Sequence, residues 1–265
     1  MMKEASLSVC LVGASGRMGA EIIKACSTSE KVVAGIVAPD DPLCGKCIPG
    51  IEHALTSSWE DSCDSCNIII DFSSQAGTEL ALRCAIEKGV PVVSGTTGLS
   101  PTVQDAILKA SEKVPILRAS NFSVGVNLLF WLVGKAASAL GPSFDIEIVE
   151  THHRMKKDSP SGTAISLADA VAKGRGVNLS DVLRCSREGK EAVRKEGEIT
   201  VLGLRGGDVV GEHTVHFLGN HERVELTHRA TNRAVFAIGA LRAAKWLKDK
   251  KAGLYSMQDL LSSSF

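Results

Sequence analysis

The chain has 265 residues, and at a soft prior of roughly 150 residues per domain that length suits two modest domains or one large α/β domain. Hydrophobic residues make up 44% and charged residues 23%, enough apolar material for a sizeable core. Lys and Arg number 30, Asp and Glu number 30, and aromatics are only 4%, which argues against a basic field for nucleic acid or anionic lipid and against a base-stacking platform.

The longest apolar stretch, Leu128 to Gly134, falls far short of the ~18 residues of a membrane span. Leu7 to Gly13 leads into a Gly-rich turn and not into a cleavage site, so no signal peptide is expected. The chain reads as a soluble, cytoplasmic protein with no membrane or nucleic-acid partner.

Leu7 to Val12 reads as a strand, and Met18, Ile22, Ile23 and Cys26 then recur at helical spacing. Val32 to Val37 and Asn67 to Phe72 are further strands. Gly77 to Lys88 is a helix ended by Gly89. Pro91 to Ser94 is a strand, Thr102 to Glu112 a helix and Ile116 to Arg118 a strand. Strands alternating with helices predict parallel βαβ units, hence a Rossmann-type doubly wound parallel sheet in an α/β fold.

After residue 124 the pattern changes. An apolar helix from Asn127 to Leu140 stops at Gly141-Pro142, and strand-like runs cluster at Asp145 to Glu150, Thr200 to Leu204, Gly211 to Phe217 and Arg223 to His228. One further helix carries Ala164, Ala168, Val171 and Ala172. Clustered strands predict a second, α+β domain with a mixed or antiparallel sheet. The last helix, Phe236 to Leu247, returns to the first domain in this reading. Residues 1–124 and 234–265 then form a dinucleotide-binding domain, with 125–233 inserted as a second domain.

Between the first strand and helix lies Gly13-Ala14-Ser15-Gly16-Arg17-Met18-Gly19. In that context a Gly-rich loop brings backbone N–H groups to a pyrophosphate. Arg17 adds a phosphate donor; the bland alternative is a tight turn without a ligand. The acid that separates NAD from NADP usually closes the second strand, but Ala38 stands there. Asp40 or Asp41 could serve, or simply face water. Gly95-Thr96-Thr97-Gly98 and Ala119-Ser120-Asn121-Phe122-Ser123 follow later strands, where open α/β sheets bind ligands. Each could equally be a plain turn or linker.

The densest constellation runs from Glu150 to Ala164, with His152, His153, Arg154, Lys156 and Lys157 inside six positions. Such a cationic patch in a neutral chain suits an anionic small molecule such as a dicarboxylate. A histidine transfers protons near neutral pH, and a lysine can pair with a carboxylate or donate a proton. Ser161 reads as the N-cap of the next helix, which would aim the Gly162 and Thr163 amides at an anion. The competing reading is a solvated basic loop before an ordinary capped helix. His213 and His216 lie on one strand but face opposite sides and cannot easily share a ligand. His53, His221 and His228 read as surface or core residues. Cys44-x-x-Cys47 and Cys63-x-x-Cys66 have a structural-zinc spacing. Against zinc, Cys66 opens the apolar run Ile68 to Ile70, where a free cysteine is an ordinary small hydrophobe. Without an export signal a disulfide framework is disfavoured. The expectation is therefore no metal.

The run Glu147 to Ala164 matches E-x-x-E-x-H-H-x-x-K-x-D-x-P-S-G-T-A. On that run, with Gly13 to Gly19, Gly95 to Gly98, Asn121 to Asn127, Gly207 to Thr214 and Gly253 to Leu260, the chain resembles the dihydrodipicolinate reductase family over essentially its whole length. The resemblance implies reduction of a cyclic, unsaturated imine dicarboxylate by NADH or NADPH in diaminopimelate and lysine biosynthesis, water being lost from a 4-hydroxy precursor. It implies a homotetramer assembled through the second, substrate-binding domain. It also implies that His152 donates and accepts the proton, that Lys156 is a second donor, and that His153, Gly162 and Thr163 bind substrate carboxylates. The implied cofactor contacts are Gly13, Ala14, Ser15, Gly16, Arg17 and Met18, then Gly95, Thr96 and Thr97, then Ala119, Ser120, Asn121 and Phe122.

The domains are expected to close about hinges near Ser123 to Gly125 and Thr231 to Ala234. Ala38 and Pro39 replace the family's acidic-then-basic pair, so the choice between NADH and NADPH is not carried over. Ser120 and Ser159 stand where proline and alanine are common, and the paired Cys-x-x-Cys is not a family feature. Two other readings compete. Another two-domain amino-acid dehydrogenase would lack His-His-x-x-Lys before Ser-Gly-Thr, and a regulatory NAD(P)-binding module would lack His152 or Lys156; all are present.

Overall fold

The computed structural model describes residues 7–59 and 64–263. In chain order they form β1 (Leu7–Val12), α1 (Arg17–Ala25), β2 (Glu30–Ile36), β3 (Ile68–Asp71), α2 (Gln75–Lys88), β4 (Val92–Ser94), α3 (Pro101–Ser111) and β5 (Pro115–Arg118). Next come α4 (Val124–Leu140), β6 (Asp145–His152), α5 (Gly162–Arg175), α6 (Leu179–Val182), β7 (Leu183–Arg184) and β8 (Ile199–Arg205). The chain ends with β9 (Gly211–Leu218), β10 (Arg223–Ala230), α7 (Ala234–Leu247), β11 (Gly253–Tyr255) and α8 (Met257–Ser262). Two compact units result: residues up to Val124 together with those from Ala234, and Gly125–Arg233. Among the described residues no helix is long and apolar enough to cross a membrane.

The first unit is built on a six-stranded sheet ordered β11-β5-β4-β3-β1-β2. Every neighbouring pair is parallel, so this is the doubly wound sheet that the alternation predicts. Strands covered on both faces are near-continuous apolar runs, as β1 and Ile68 to Ile70 are. Because β1 lies between β2 and β3, the connections from β1 and β3 diverge, which makes a switch point there. Gly13 has φ +80°, and a Cβ on it would lie 2.4 Å from the Phe72 carbonyl oxygen. Only glycine permits both that backbone and that approach.

Asp71 closes β3 with no exposed surface. It accepts hydrogen bonds from the hydroxyls of Thr78 at 2.7 Å, Ser94 at 2.9 Å and Thr96 at 3.0 Å, and from that of Ser73. One carboxylate thus ties α2, β4 and the loop after β4 to the end of β3.

Cys10 and Cys66 are buried together, and the hydrogen bond to Cys66, with burial, pushes the Cys10 thiol up. Cys44 is half-buried, Cys47 is exposed, and Cys63 lies outside the described residues. Among the described residues, no three His, Cys, Asp or Glu side chains are placed to hold a metal ion. Cys84 is disulfide-bonded, against the expectation, drawn from the lack of an export signal, that disulfides are disfavoured; a bridge requires only that two Cβ atoms lie about 4 Å apart.

The second unit carries a five-stranded sheet ordered β10-β9-β6-β8-β7. β6 is parallel to β8 and antiparallel to β9, so the sheet is mixed. Side chains alternate strictly along β6: Ile146, Ile148, Glu150 and His152 are buried on one face. Opposite them in register on β9 stand Phe217, Val215 and His213, and on β8 Ile199, Val201, Gly203 and Arg205. Leu129, Val133 and Ala137 of α4, with Leu167, Ala168 and Val171 of α5, cover the apolar part of this face. The same row turns polar toward the end of β6. Apolar alternation predicts that β6 stops at Glu150, and it continues to His152 because the pleat does not depend on the residues being apolar. α4 likewise starts three residues earlier than predicted, at Val124. β7, β11, α6 and α8 are too short for periodicity to show.

Truncating Asp71 to alanine strands four hydroxyl donors beside a cavity. The folded chain should lose about 2–4 kcal/mol, read as a lower urea midpoint at unchanged slope. An unchanged midpoint would mean that those hydroxyls find other partners.

Candidate active site

The polar end of the second unit's sheet is assembled around Glu150. Residues two apart on a strand share a face, so Glu150 and His152 lie side by side, and Glu150 Oε2 is bonded to His152 Nδ1. Arg205, opposite His152 in register, forks onto both carboxylate oxygens, Nη1 to Oε2 at 2.9 Å and Nη2 to Oε1 at 2.7 Å. The Ser161 N–H adds a donor to Oε1 at 3.1 Å. Gly203 keeps the space open, since a Cβ there would stand 2.9 Å from Glu150 Oε1.

His213 meets His152 edge-on with ring centres 5.2 Å apart, and its Nε2 lies 3.2 Å from Ser161 Oγ. That hydroxyl also caps α5 by accepting the Ala164 N–H at 3.2 Å. Lys156, in the loop after β6, donates to both Asp158 oxygens at 2.8 and 2.9 Å. The Asp158 carbonyl in turn accepts from Arg205 Nη2 at 2.6 Å. His153 and Thr163 are half-buried, and Gly162 is exposed.

Burial is the largest influence on His152 and takes its pKa below the usual range. Glu150 pulls it back up, while Lys156 and Arg205 push it further down. The ring is therefore neutral near pH 7, with its proton on Nδ1 facing Glu150 and its Nε2 lone pair turned away. Burial opposes ionisation of Glu150, but hydrogen bonds from Arg205 and His152 more than offset it and hold the carboxyl below its ordinary value. His213 lies deeper still, and burial, followed by the nearby His152, takes it down to about 3.

In the first unit the glycine loop runs into α1. Gly16 is the N-cap of α1, which has no side-chain cap and no acid in its first turn. In contrast α2, α3, α5 and α8 each start with a serine hydroxyl accepting a backbone N–H. An uncapped N-terminus beside the switch point fits a dinucleotide pyrophosphate, whose oxygens can accept from those amides. Ser15 Oγ donates to Asp41 Oδ2 at 2.6 Å, so Asp41 is tied to the loop, while Asp40 is exposed. The Thr96 hydroxyl is engaged within the protein, donating to Asp71 and accepting the Ser73 N–H at 3.0 Å, whereas Thr97 is exposed. Phe122 is buried with its ring tilted against Phe72 at 5.3 Å, and Asn121 accepts the Ser123 N–H at 2.9 Å.

Residues 7–122 match the family model for dihydrodipicolinate reductase, N-terminus, and residues 125–261 match that for its C-terminus. The chain belongs to the dihydrodipicolinate reductase family. A family member from Rubrobacter xylanophilus, a 4-hydroxy-tetrahydrodipicolinate reductase, is 45% identical over 263 residues, covering 97% of this chain and 99% of that protein. The enzyme of the same name from Pseudoalteromonas translucida is 44% identical over 255 residues, covering 94% of this chain and 96% of that protein. Among solved structures, the dipicolinate-bound dihydrodipicolinate reductase from Paenisporosarcina sp. TG-14 shares the fold with a TM-score of 0.77 at 20% identity. That match covers 96% of this chain and 99% of the other.

Within this dihydrodipicolinate reductase family chain, the fold brings His152, Lys156 and the start of α5 to one end of one sheet. Reading the sequence alone missed three partners: Glu150 as the hub, Arg205 and His213. The two-residue alternation puts His216 on the opposite face from His213, and His216 does lie there, 3.4 Å from Glu225. What brings His213 to His152 is the register of β9 against β6, which no local pattern carries.

Protonating buried His213 should cost stability. Its folded pKa of about 3 lies below the ordinary 6.5, so between those values the unfolded chain binds the proton first and stability falls as pH drops. Urea unfolding of His213→Gln across that window should give a shallower pH dependence than the parent. Equal slopes would show that His213 does not contribute to it.

Proposed function

We propose that the protein is an NAD(P)H-dependent oxidoreductase that reduces 4-hydroxy-tetrahydrodipicolinate to tetrahydrodipicolinate in diaminopimelate and lysine biosynthesis. Relatives bearing that activity in their names match 94% and 97% of the chain. The observation that carries the mechanism is the hydrogen-bonded His152–Glu150–Arg205 cluster beside Lys156 and the capped start of α5. Two alternatives, a regulatory NAD(P)-binding module and another two-domain amino-acid dehydrogenase, give no reason for this cluster.

Bound NADH or NADPH supplies the hydride. The first unit holds the cofactor through Gly13, Ala14, Ser15, Gly16, Arg17 and Met18, with Gly95, Thr96, Thr97 and Ala119 to Phe122 at neighbouring strand ends. Reducing a conjugated imine leaves electron density on the substrate that a proton must quench. His152 Nε2 delivers that proton, with Lys156 as a second donor. His153, Gly162 and Thr163 bind the substrate carboxylates, the α5 amides adding the favourable end of a helix dipole.

Because His152 is neutral in the free protein, the acid must be generated by the substrate. Two carboxylates arriving beside the ring favour its charged form. In this reading the enzyme is cytoplasmic and assembles as a homotetramer through the second unit's sheet. Support for assembly there is that α4 and α5 cover one face only, and Leu204 on the other is 55% exposed.

In a coupled assay with the 4-hydroxy precursor, His152→Ala should lower kcat by roughly 10²–10⁴-fold, and Lys156→Ala should lower kcat and raise KM. Unchanged turnover would remove either residue from the mechanism. Dipicolinate, the ligand of the Paenisporosarcina enzyme, should bind with proton uptake near pH 7, seen by calorimetry in buffers of different ionisation enthalpy. The uptake should vanish in His152→Gln.

A further inference from the structure

We infer that Arg205 is the positioning residue of this centre: through Glu150 it fixes which nitrogen of His152 carries the proton, and through Asp158 it fixes the reach of Lys156. The inference rests on the reductase reading for its activity arm alone; its geometry stands without it.

One guanidinium makes all the connections. Nη1 donates to Glu150 Oε2 at 2.9 Å and to the Leu204 carbonyl at 2.7 Å. Nη2 donates to Glu150 Oε1 at 2.7 Å and to the Asp158 carbonyl at 2.6 Å. Glu150 has no exposed surface, and its remaining partners are His152 Nδ1 and the Ser161 N–H. Asp158 grips Lys156 with both oxygens. The two groups that would handle protons therefore hang from opposite ends of one planar fork. Lysine could neutralise Glu150, but a single ammonium on a flexible stem does not present two parallel N–H bonds to a carboxylate while bridging to a carbonyl.

The consequence is electrostatic as well as geometric. The charged and titratable groups facing His152 are Glu150 on its own strand, Arg205 from β8, His213 from β9 and Lys156 from the following loop. Glu150 draws a proton toward the ring, and burial, the larger influence, opposes it. Burial keeps His152 neutral against that pull, and Lys156 and Arg205 lower its pKa further. By sharing the Glu150 carboxylate, Arg205 leaves the ring free to take up and release a proton during turnover.

The test is the titration of the His152 ring, followed by histidine NMR in the full-length protein without substrate and assigned by its absence in His152→Gln. Arg205→Met should move the titration to higher pH, and Glu150→Gln should move it to lower pH. A role confined to stability would shift the folded fraction and leave the titration of the folded ring in place. Arg205→Lys should keep the titration near that of the parent while kcat falls roughly 10–100-fold through misplacement of Lys156. Titrations that do not move, or that move the same way in Arg205→Met and Glu150→Gln, would overturn the inference. If circular dichroism shows Arg205→Met unfolded, Arg205→Lys decides: parental kcat would overturn it, and the fall would support it. A parent without reductase activity would instead overturn the proposed function, and the two opposed titration shifts would still decide the role of Arg205.

Discussion

A carboxylate with no access to water must find its solvation within the protein, and the second unit is organised around one. Glu150 sits in a row of side chains that is otherwise core, following Ile146 and Ile148 along the same face of β6. An unpaired charge there would cost several kcal/mol. The Arg205 fork, the Ser161 amide and the His152 ring together complete its shell. His152 and Ser161 belong to that shell, and Lys156 and His213 are linked to it through their neighbours. Ser161 links it to the start of α5, His213 closes over the ring, and Asp158 brings in Lys156.

The first unit solves the same problem with different chemistry. Asp71 is also fully buried, but its partners are the hydroxyls of Ser73, Thr78, Ser94 and Thr96, not a cation. Those hydroxyls fix the segments that carry them to the end of β3. A guanidinium does more, because its charge also offsets part of the field that the carboxylate sets up at the next titratable group. The difference matches the contents of the two regions. Around Asp71 the partners, on α2, β4 and the adjoining loops, are held in place, whereas around Glu150 the neighbour is an imidazole, which in the proposed mechanism changes charge.

Serine caps draw a second contrast. Four helices start on a serine hydroxyl, and α1, which follows the glycine loop at the switch point, does not. A cap would occupy the amides that a pyrophosphate requires. At α5 the cap is kept and shared: Ser161 Oγ serves Ala164 and approaches His213, while its backbone N–H serves Glu150. One residue thereby fixes the helix start relative to the carboxylate.

Reading the chain from end to end determined the fold class, the glycine loop and the cluster from Glu150 to Thr163, because each is written in contiguous residues. Apolar periodicity marks most strands and helices and ends where apolar residues run out, so it carries β6 only to Glu150, whereas the strand continues to His152. Tertiary structure alone decided the partners. Arg205 is 55 positions from Glu150, and His213 is 52 from Ser161; they meet only because β8 and β9 flank β6 in a particular register. Strand register is set by the packing of whole sheet faces. A residue's local neighbours therefore say what it could bond, and the sheet says what it does bond.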